Sequence, residues 1–351
     1  MTCSTYLSPP LAATLTELPA QLGHIFYFVV LPVLLLAAIG WGLQKRLGLD
    51  MPTLTRLNFY LIVPGMIYFS VVNANVTGGD IGLVMGFAAV VMILQTALTW
   101  LAAVARRVPK DQRNTLIMTT IFNNSGNYGL PLQELAFRPV AHDAQARTLQ
   151  VFYMLLQNIA NFTLGIVLAA GGHGRGTLRG AVRHIVRFPP LYALAAALAT
   201  VWTRSLLGDD QVARATEVLQ PAIQVLGYVQ GAFIAIAVCT LGAQLATVQR
   251  EGPRYPVTLS IVLRLLAGPA IGLGVVYLMI WQFGISGFLA QVLLIGTSTP
   301  TAVNTMLLCL EFDNHPDFAA RAVFYSTLLS PVTVTLVIFL AQSGLLPGFA
   351  M

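Results

Sequence analysis

Long uncharged apolar segments restrict the fold of this chain more than any other feature of its sequence. Residues 265–310 contain no Asp, Glu, Lys or Arg over 46 consecutive positions. A helix that crosses the hydrocarbon core of a bilayer needs about 20 mostly apolar residues, so this run fits two, with a turn at Gln282, Phe283 and Gly284. Only 9% of the 351 residues are charged, against roughly 25% in ordinary soluble domains. The sequence predicts a polytopic membrane protein.

Ten apolar windows of spanning length occur along the chain. They fall near residues 24–42, 58–73, 81–105, 114–137, 148–172, 188–203, 218–249, 257–281, 286–310 and 322–345. Apart from Arg264, the basic residues lie between these windows, which favours the lipid bilayer as the main partner and argues against a nucleic-acid binder. Residues 1–20 contain no Lys or Arg and so lack the basic region of a cleavable signal peptide. We therefore expect the first window to remain as a membrane helix.

The positions of the basic residues predict which side of the membrane each loop faces. Lys and Arg are enriched in cytoplasmic loops. The loops after the odd-numbered spans hold 14 Lys or Arg, the alternate loops hold 4, and Arg264 lies within a span. Both termini are therefore expected outside the cytoplasm, with the short basic loop 173–187 inside.

Two of the ten spans are interrupted, and they occupy the same place in each half of the chain. Span four contains residues 123–131 (NNSGNYGLP), and span nine contains residues 296–304 (GTSTPTAVN). Five spans in residues 1–172 and five in 188–351, joined by one cytoplasmic loop, enter the membrane from opposite sides as an inverted repeat. Paired breaks at corresponding positions are typical of transporter binding sites.

The two breaks favour binding of an anion without a basic side chain. We expect Pro131 and Pro300 to open the helices, because proline lacks a backbone N–H and clashes with the preceding turn. The N-terminus of a half-helix carries roughly +0.5 of an elementary charge. The carboxamides that can donate to the same anion belong to Asn123, Asn124, Asn127 and Asn304. The alternative is that both breaks are flexible kinks in packed helices.

Two charged residues within the predicted spans allow more than one role. Arg264 lies well inside span eight, where it is either functional, as intramembrane charges usually are, or paired with backbone carbonyls or the cytoplasmic interface. Glu134 precedes Arg138 by four residues, the spacing of a helical ion pair; the alternative for Glu134 is proton coupling. No span carries two acidic residues, as a dedicated proton or sodium relay would.

We expect no metal ion and no cofactor. Cys3, Cys239 and Cys309 lie far apart without a CxxC spacing, which argues against a disulfide framework or a zinc site. The acidic turn at residues 311–317 is more typical of a solvated turn than of a metal site. No His/Asp/Glu or Ser/His cluster falls at membrane depth, which argues against an enzyme.

Several segments carry a resemblance to a known family. They are residues 57–64, the break from Asn124 to Pro131, residues 156–164, residues 264–270 (RLLAGPA), and residues 299–312 around Pro300. This pattern resembles the auxin efflux carrier family, which contains plant PIN-type exporters and bacterial carriers of small organic acids. The central loop is short, and Ile67 replaces a serine of the plant pocket, so the chain is similar to a bacterial member whose substrate need not be auxin.

The resemblance implies an all-α membrane fold with two five-helix inverted repeats, like those of NhaA and the bile acid symporters, whose spans four and nine cross near the midplane. It also implies a scaffold of spans one, two, six and seven that often forms a homodimer, and a moving part made of the other spans. The location implied is the bacterial inner membrane. The candidate substrate-binding residues are Asn123, Asn124, Gly126, Asn127, Gly129, Gln157, Phe162, Thr299, Thr301, Val303 and Asn304.

Three functions remain open at this point. The first is a secondary carrier that exports a small organic carboxylate, auxin-like or a dicarboxylate, by elevator-type alternating access. The anion is held where spans four and nine cross, and membrane potential or protons drive the transport. The second is a sodium-coupled importer of organic anions, of the bile acid:sodium symporter type. The third is a membrane sensor that binds a ligand without transporting it.

Overall fold

The computed structural model describes residues 18–73, 77–170, 189–248 and 255–350, and these ranges are helical apart from turns and one isolated β-bridge. The predicted basic loop 173–187 and residue Cys3 lie outside the described residues. The helices are α1 (Leu18–Leu47), α2 (Met51–Asn73), α3 (Gly78–Ala105), α4 (Lys110–Ile121), α5 (Leu130–Phe137), α6 (Asp143–Ala169), α7 (Pro189–Leu206), α8 (Asp209–Val218), α9 (Gln220–Ala246), α10 (Val257–Phe283), α11 (Gly287–Thr297), α12 (Val303–Glu311) and α13 (Pro316–Gln342).

Seven of these helices are long and apolar enough to cross a membrane: α1, α2, α3, α6, α9, α10 and α13. The prediction of ten spans also needs α7 and two interrupted pairs, α4 with α5 and α11 with α12. None of these five helices is among the seven, so the count of ten and the inverted repeat stay predictions. The helical architecture itself is as expected.

Local signals in the sequence set the helix ends. Asp50 caps α2, with its carboxylate accepting from the backbone N–H of Thr53 at 3.1 Å, and Thr77 and Asp80 form a reciprocal capping box at the start of α3. Gly284 follows α10 with φ of +60°, a left-handed conformation that glycine adopts without a steric penalty. The chain therefore turns between the two spans of the long uncharged run as predicted, but only Gly284 of the three predicted turn residues lies in the turn, since Gln282 and Phe283 still belong to α10.

One group of packed helices consists of α1, α2, α7 and α9. Its closest contact joins α1 and α9 through their backbones. A Cβ atom added at Gly40 would lie 2.0 Å from the carbonyl oxygen of Cys239, and one added at Gly242 would lie 1.9 Å from that of Ala37. Because these positions have no side chain, the two helix axes approach closely along this seam.

The other long helices pack around the two interrupted pairs. α4 contacts α3, α5 contacts α6, α11 contacts α10, and α12 contacts α13. The large side chains of Phe87, Phe122 and Tyr128 are buried here. The breaks between α4 and α5 and between α11 and α12 consequently lie inside protein, which is the condition under which irregular backbone is tolerated at membrane depth.

Candidate functional site

The two helix breaks cross and hydrogen bond to each other. Asn123 and Thr301 form an isolated antiparallel bridge at the crossing. Two backbone hydrogen bonds flank it, from the N–H of Asn124 to the carbonyl of Pro300 at 2.7 Å and from the N–H of Ala302 to the carbonyl of Phe122 at 3.0 Å. Each break thus supplies partners for peptide groups that the other leaves unpaired, as buried backbone requires.

The two prolines occupy different places relative to the breaks. Pro300 lies inside its break, between α11 and α12. Pro131 lies in the helical segment that runs from the π-helical turn Ser125–Gly129 into α5, seven residues beyond the non-helical residue Asn124. It is therefore not at the point where the chain leaves the helix, which is residues 122–124, and its assignment as the residue that opens span four stays a prediction.

Arg264 hydrogen bonds to the C-terminal ends of α4 and α11, the first helix of each interrupted pair. Its side chain is 1% exposed and lies in the π-helical turn Leu263–Ala267 of α10. Nη1 donates to the carbonyl of Thr120 in the last turn of α4 at 2.9 Å, and Nη2 donates to the carbonyl of Thr297 at the end of α11 at 2.5 Å. Helix C-termini carry unpaired carbonyls and partial negative charge, so one guanidinium compensates two helix ends.

Two glycines of α10 leave space for the side chains of Arg264 and Thr297. A Cβ atom at Gly268 would lie 2.9 Å from Nη2 of Arg264, and one at Gly272 would lie 2.7 Å from Cγ2 of Thr297. Both distances are shorter than real Cβ contacts, so a side chain at either position would force neighbouring atoms to move. Gly268 of the RLLAGPA segment is thus a glycine because Arg264 occupies the space that a side chain would need. The pairing of Arg264 with backbone carbonyls is one of the two roles predicted for it from the sequence.

The N-terminal ends of the two half-helices that follow the breaks line a separate cavity of about 60 Å³, whose wall also includes residues of α2, α6 and α9. Seven of the candidate binding residues lie on its wall: Asn123, Asn124, Gly126, Asn127, Gln157, Val303 and Asn304. None of the described residues lining it is charged. Arg264 and Glu134 are not among them, so the polar groups of the cavity wall are amides, hydroxyls and helix ends.

Four candidate residues, Gly129, Phe162, Thr299 and Thr301, do not line this cavity, and their assignment to the binding site stays a prediction. Thr301 is fully buried and donates from its hydroxyl to the carbonyl of Thr119 at 2.8 Å, and Thr299 donates to that of Gly296 at 3.2 Å. Gly129 faces Gln150, whose Nε2 a Cβ atom would approach to 2.6 Å. These residues hold the crossing together because the chain there is packed on all sides. Phe162 packs against the hydrophobic core.

Other residues on the cavity wall were not predicted. Asn58 of α2 donates from Nδ2 to Oδ1 of Asn127 at 3.1 Å, and Asn304 donates to Oδ1 of Asn158 at 3.4 Å. The remaining polar members are Thr55, Ser125, Asn161, Thr240 and Gln244. Asn58 and Asn161 each begin a π-helical turn inside an apolar helix. Amides within apolar spans, and π-helical turns, both mark functional positions, and the amides are visible in the sequence.

Glu134 belongs to an ion-pair cluster outside the cavity. Its carboxylate accepts from Arg138 at 3.0 Å, the predicted i,i+4 pair, and from Arg147 at 2.8 Å. Arg147 also donates from Nε to the hydroxyl of Ser70 in α2 at 3.1 Å. Both oxygens of Glu134 are thus paired with arginines. This arrangement favours the structural role of Glu134 over proton coupling.

Comparisons with known proteins agree with a transport role. A family model described as Membrane transport protein matches residues 25–179 and 173–338 of the chain. A protein of Methanothermobacter thermautotrophicus described as an uncharacterized transporter is 27% identical over 317 residues, which cover 88% of this chain and 95% of the relative. With the seven long apolar helices, these matches indicate a multi-pass membrane protein.

Proposed function

Because the chain belongs to the membrane transport protein family, which is the auxin efflux carrier family that its motifs resemble, we propose that it is a secondary carrier of a small organic carboxylate. The anion binds in the cavity at the crossing of the two breaks. Export across a bacterial inner membrane is the expected direction, with both termini outside the cytoplasm.

One observation carries this proposal. Asn124 is 7% exposed, its Nδ2 has no hydrogen-bond partner among the described residues, and it lies on the cavity wall. A buried amide donor left unpaired costs about 1–3 kcal/mol, so a bound acceptor is expected there. A carboxylate oxygen at this point would complete the hydrogen bonding of Asn124.

The helix ends at the cavity suit a negative charge. The π-helical turn Ser125–Gly129 precedes α5, and Val303 begins α12, so both half-helices start at the cavity wall. First-turn N–H groups have no partner within their helix and carry partial positive charge. Arg264 occupies the opposite, C-terminal ends, so the positive ends remain available to a ligand.

The volume of the cavity limits the size of the ligand. At about 60 Å³, it is less than half of the ~150 Å³ cavity that holds benzene in an engineered protein. A carboxylate of a few non-hydrogen atoms fits this conformation best, and a larger acid requires the walls to separate.

The position of the cavity supports alternating access. One side of the wall, which includes Asn58 and Gln244, belongs to α2 and α9 of one packed group, and the other side comes from the breaks, α6 and α12. Movement of the breaks, with the helices around them, past α1, α2, α7 and α9 would carry the anion across as an elevator. In this proposal those four helices form the scaffold, which also dimerises, and the ten spans form two inverted repeats.

Counterflow in proteoliposomes tests the proposal. Vesicles loaded with a small carboxylate are diluted into a trace of the same radiolabelled acid, with sodium or with potassium on both sides. We expect transient accumulation of label that does not require sodium. Accumulation only with sodium would favour the symporter, and stabilisation by the acid without accumulation would favour the sensor.

A further inference from the structure

An open groove of about 560 Å³ lies on the surface formed by α3, α4 and α6, apart from the cavity at the crossing. Its wall consists of Ile93, Thr96, Ala97, Trp100, Leu101, Ile117 and Leu164. The hydroxyl of Thr96 donates to the backbone carbonyl of Met92 at 2.7 Å, so its proton is already used within the helix. Because α3 is long and apolar enough to cross a membrane and Trp100 and Leu101 are exposed, this groove faces the hydrocarbon of the bilayer.

One end of the groove lies close to the end of the membrane span. Trp100 precedes Arg106 by six residues, and Ile117 follows Lys110 by seven, which is about 9–10 Å along a helix at 1.5 Å per residue. Residues seven apart lie on the same face of a helix, so Lys110 lies on the face of α4 that Ile117 presents to the groove. The groove therefore leads toward the segment that joins α3 to α4.

That segment, residues 106–113, carries an excess of positive charge. It contains four basic residues and one acidic residue, a net charge of +3. Its exposed basic residues are Arg106, Arg107 and Lys110. Arg113 donates from Nε to the carbonyl of Val108 at 3.0 Å, which holds it beside the end of α3. Oδ2 of Asp111, the acidic residue, lies 3.1 Å from Nε2 of His315 in the turn before α13.

We propose that the groove and the basic segment together bind one anionic phospholipid. One acyl chain lies in the groove, and the phosphate lies against Arg106, Arg107 and Lys110. Basic clusters directly beside a membrane span attract anionic headgroups. A neutral lipid would fill the groove but leave this charge unmatched, and a soluble anion would leave the apolar wall uncovered. This site is separate from the transport cavity and does not depend on the proposed substrate.

Lipid binding to the purified full-length protein tests the proposal. Native mass spectrometry gives the dissociation constants of phosphatidylglycerol and phosphatidylcholine with identical acyl chains. We expect phosphatidylglycerol to bind at least about fivefold tighter, the factor that one basic residue near an anionic lipid provides. The preference should shrink as the salt concentration rises, because salt screens exposed charges. Equal affinities for the two lipids would refute the proposal.

The soluble headgroup shows whether the acyl chain is needed. Glycerol phosphate carries the anionic group without a chain, so it should bind at least tenfold more weakly than phosphatidylglycerol. Glycerol phosphate that binds as tightly as the lipid would show that the groove contributes nothing, and the lipid assignment would be wrong.

Two double variants locate the headgroup. Arg106→Gln with Arg107→Gln removes two charges beside the groove, and the control Lys45→Gln with Arg46→Gln removes two exposed charges at the end of α1. The preference for phosphatidylglycerol should fall at least threefold in the first and stay unchanged in the second. Lys110→Gln replaces the first if it does not fold. Equal losses in both would assign the preference to overall charge and overturn the site.

A second pair of variants locates the acyl chain. Ala97→Phe fills the groove, whereas Leu98→Phe places the same ring at the next exposed position of α3, outside the groove. Ala97→Phe should weaken binding of phosphatidylglycerol at least threefold, and Leu98→Phe should leave it unchanged. Wild-type affinity in folded Ala97→Phe protein would show that the chain does not occupy this groove.

Discussion

Asn123 and Thr301 face each other in an antiparallel bridge at the point where the two broken helices cross. The bridge joins residues 178 positions apart in the chain and fixes which helix ends meet. On one side Arg264 accounts for two C-termini. On the other, two N-termini and a set of amides remain open to the cavity. The crossing thus separates Arg264, which pairs with backbone carbonyls, from the proposed binding surface.

Replacing each of two glycines of α10 by alanine should change the unfolding temperature in different ways. Gly272→Ala places a Cβ 2.7 Å from Thr297, whereas Gly274→Ala meets nothing within 4 Å. Overpacking typically costs 1–3 kcal/mol, so Gly272→Ala should lower the thermal unfolding temperature in detergent. Gly274→Ala should leave it unchanged or raise it, because alanine favours a helix by about 1 kcal/mol over glycine. Equal effects would refute the close contact.

Replacing Arg264 should show that its shape matters as well as its charge. Lysine keeps the charge but lacks the planar fork that reaches Thr120 and Thr297 together. Losing one charged hydrogen bond to a carbonyl costs about 1.5–3 kcal/mol, so Arg264→Lys should lower the unfolding temperature. The control Arg214→Lys changes an exposed residue of α8 and should have no effect. An Arg264→Lys protein as stable as wild type would show that the hydrogen bonds of Arg264 to Thr120 and Thr297 do not stabilise the fold.

The two arginines that contact Glu134 should differ in their contribution to stability. The side chain of Arg147 is 7% exposed and that of Arg138 is 60% exposed. Removing one partner of a buried ion pair costs about 3–5 kcal/mol, whereas an exposed pair contributes about 1 kcal/mol or less. Arg147→Ala should therefore unfold at a much lower temperature than wild type, and Arg138→Ala at nearly the same one. Similar shifts for the two variants would contradict this account.

Much of the helical framework could be predicted from the sequence, because apolar length, capping residues and glycine turns act locally. The locations of both breaks followed from clusters of Asn, Gly and Pro. The exact position of the non-helical segment did not, since only the course of the chain shows that it is residues 122–124 and not Pro131. The number of crossings and the repeat symmetry remain predictions.

The cavity could be predicted only in part, because its wall combines elements distant in sequence. Asn124 and Asn304 were found because they lie at the breaks. Asn58 and Gln244 belong to helices that are otherwise apolar, and nothing local shows which face of those helices meets the crossing. The amide nitrogen of Asn123 donates to Tyr153 and Gly296, which only the folded chain brings together.

The most direct test of the central claim is the affinity of a small carboxylate, propionate, for the Asn124→Asp protein, measured by isothermal titration beside wild type and the exposed control Asn73→Asp. The substitution keeps the side-chain shape but replaces the unpaired donor with a negative charge. We predict that the dissociation constant rises at least tenfold in Asn124→Asp, which corresponds to the loss of about 1.4 kcal/mol of binding free energy, and stays unchanged in Asn73→Asp. Unchanged affinity in a folded Asn124→Asp protein would show that the crossing does not hold the carboxylate.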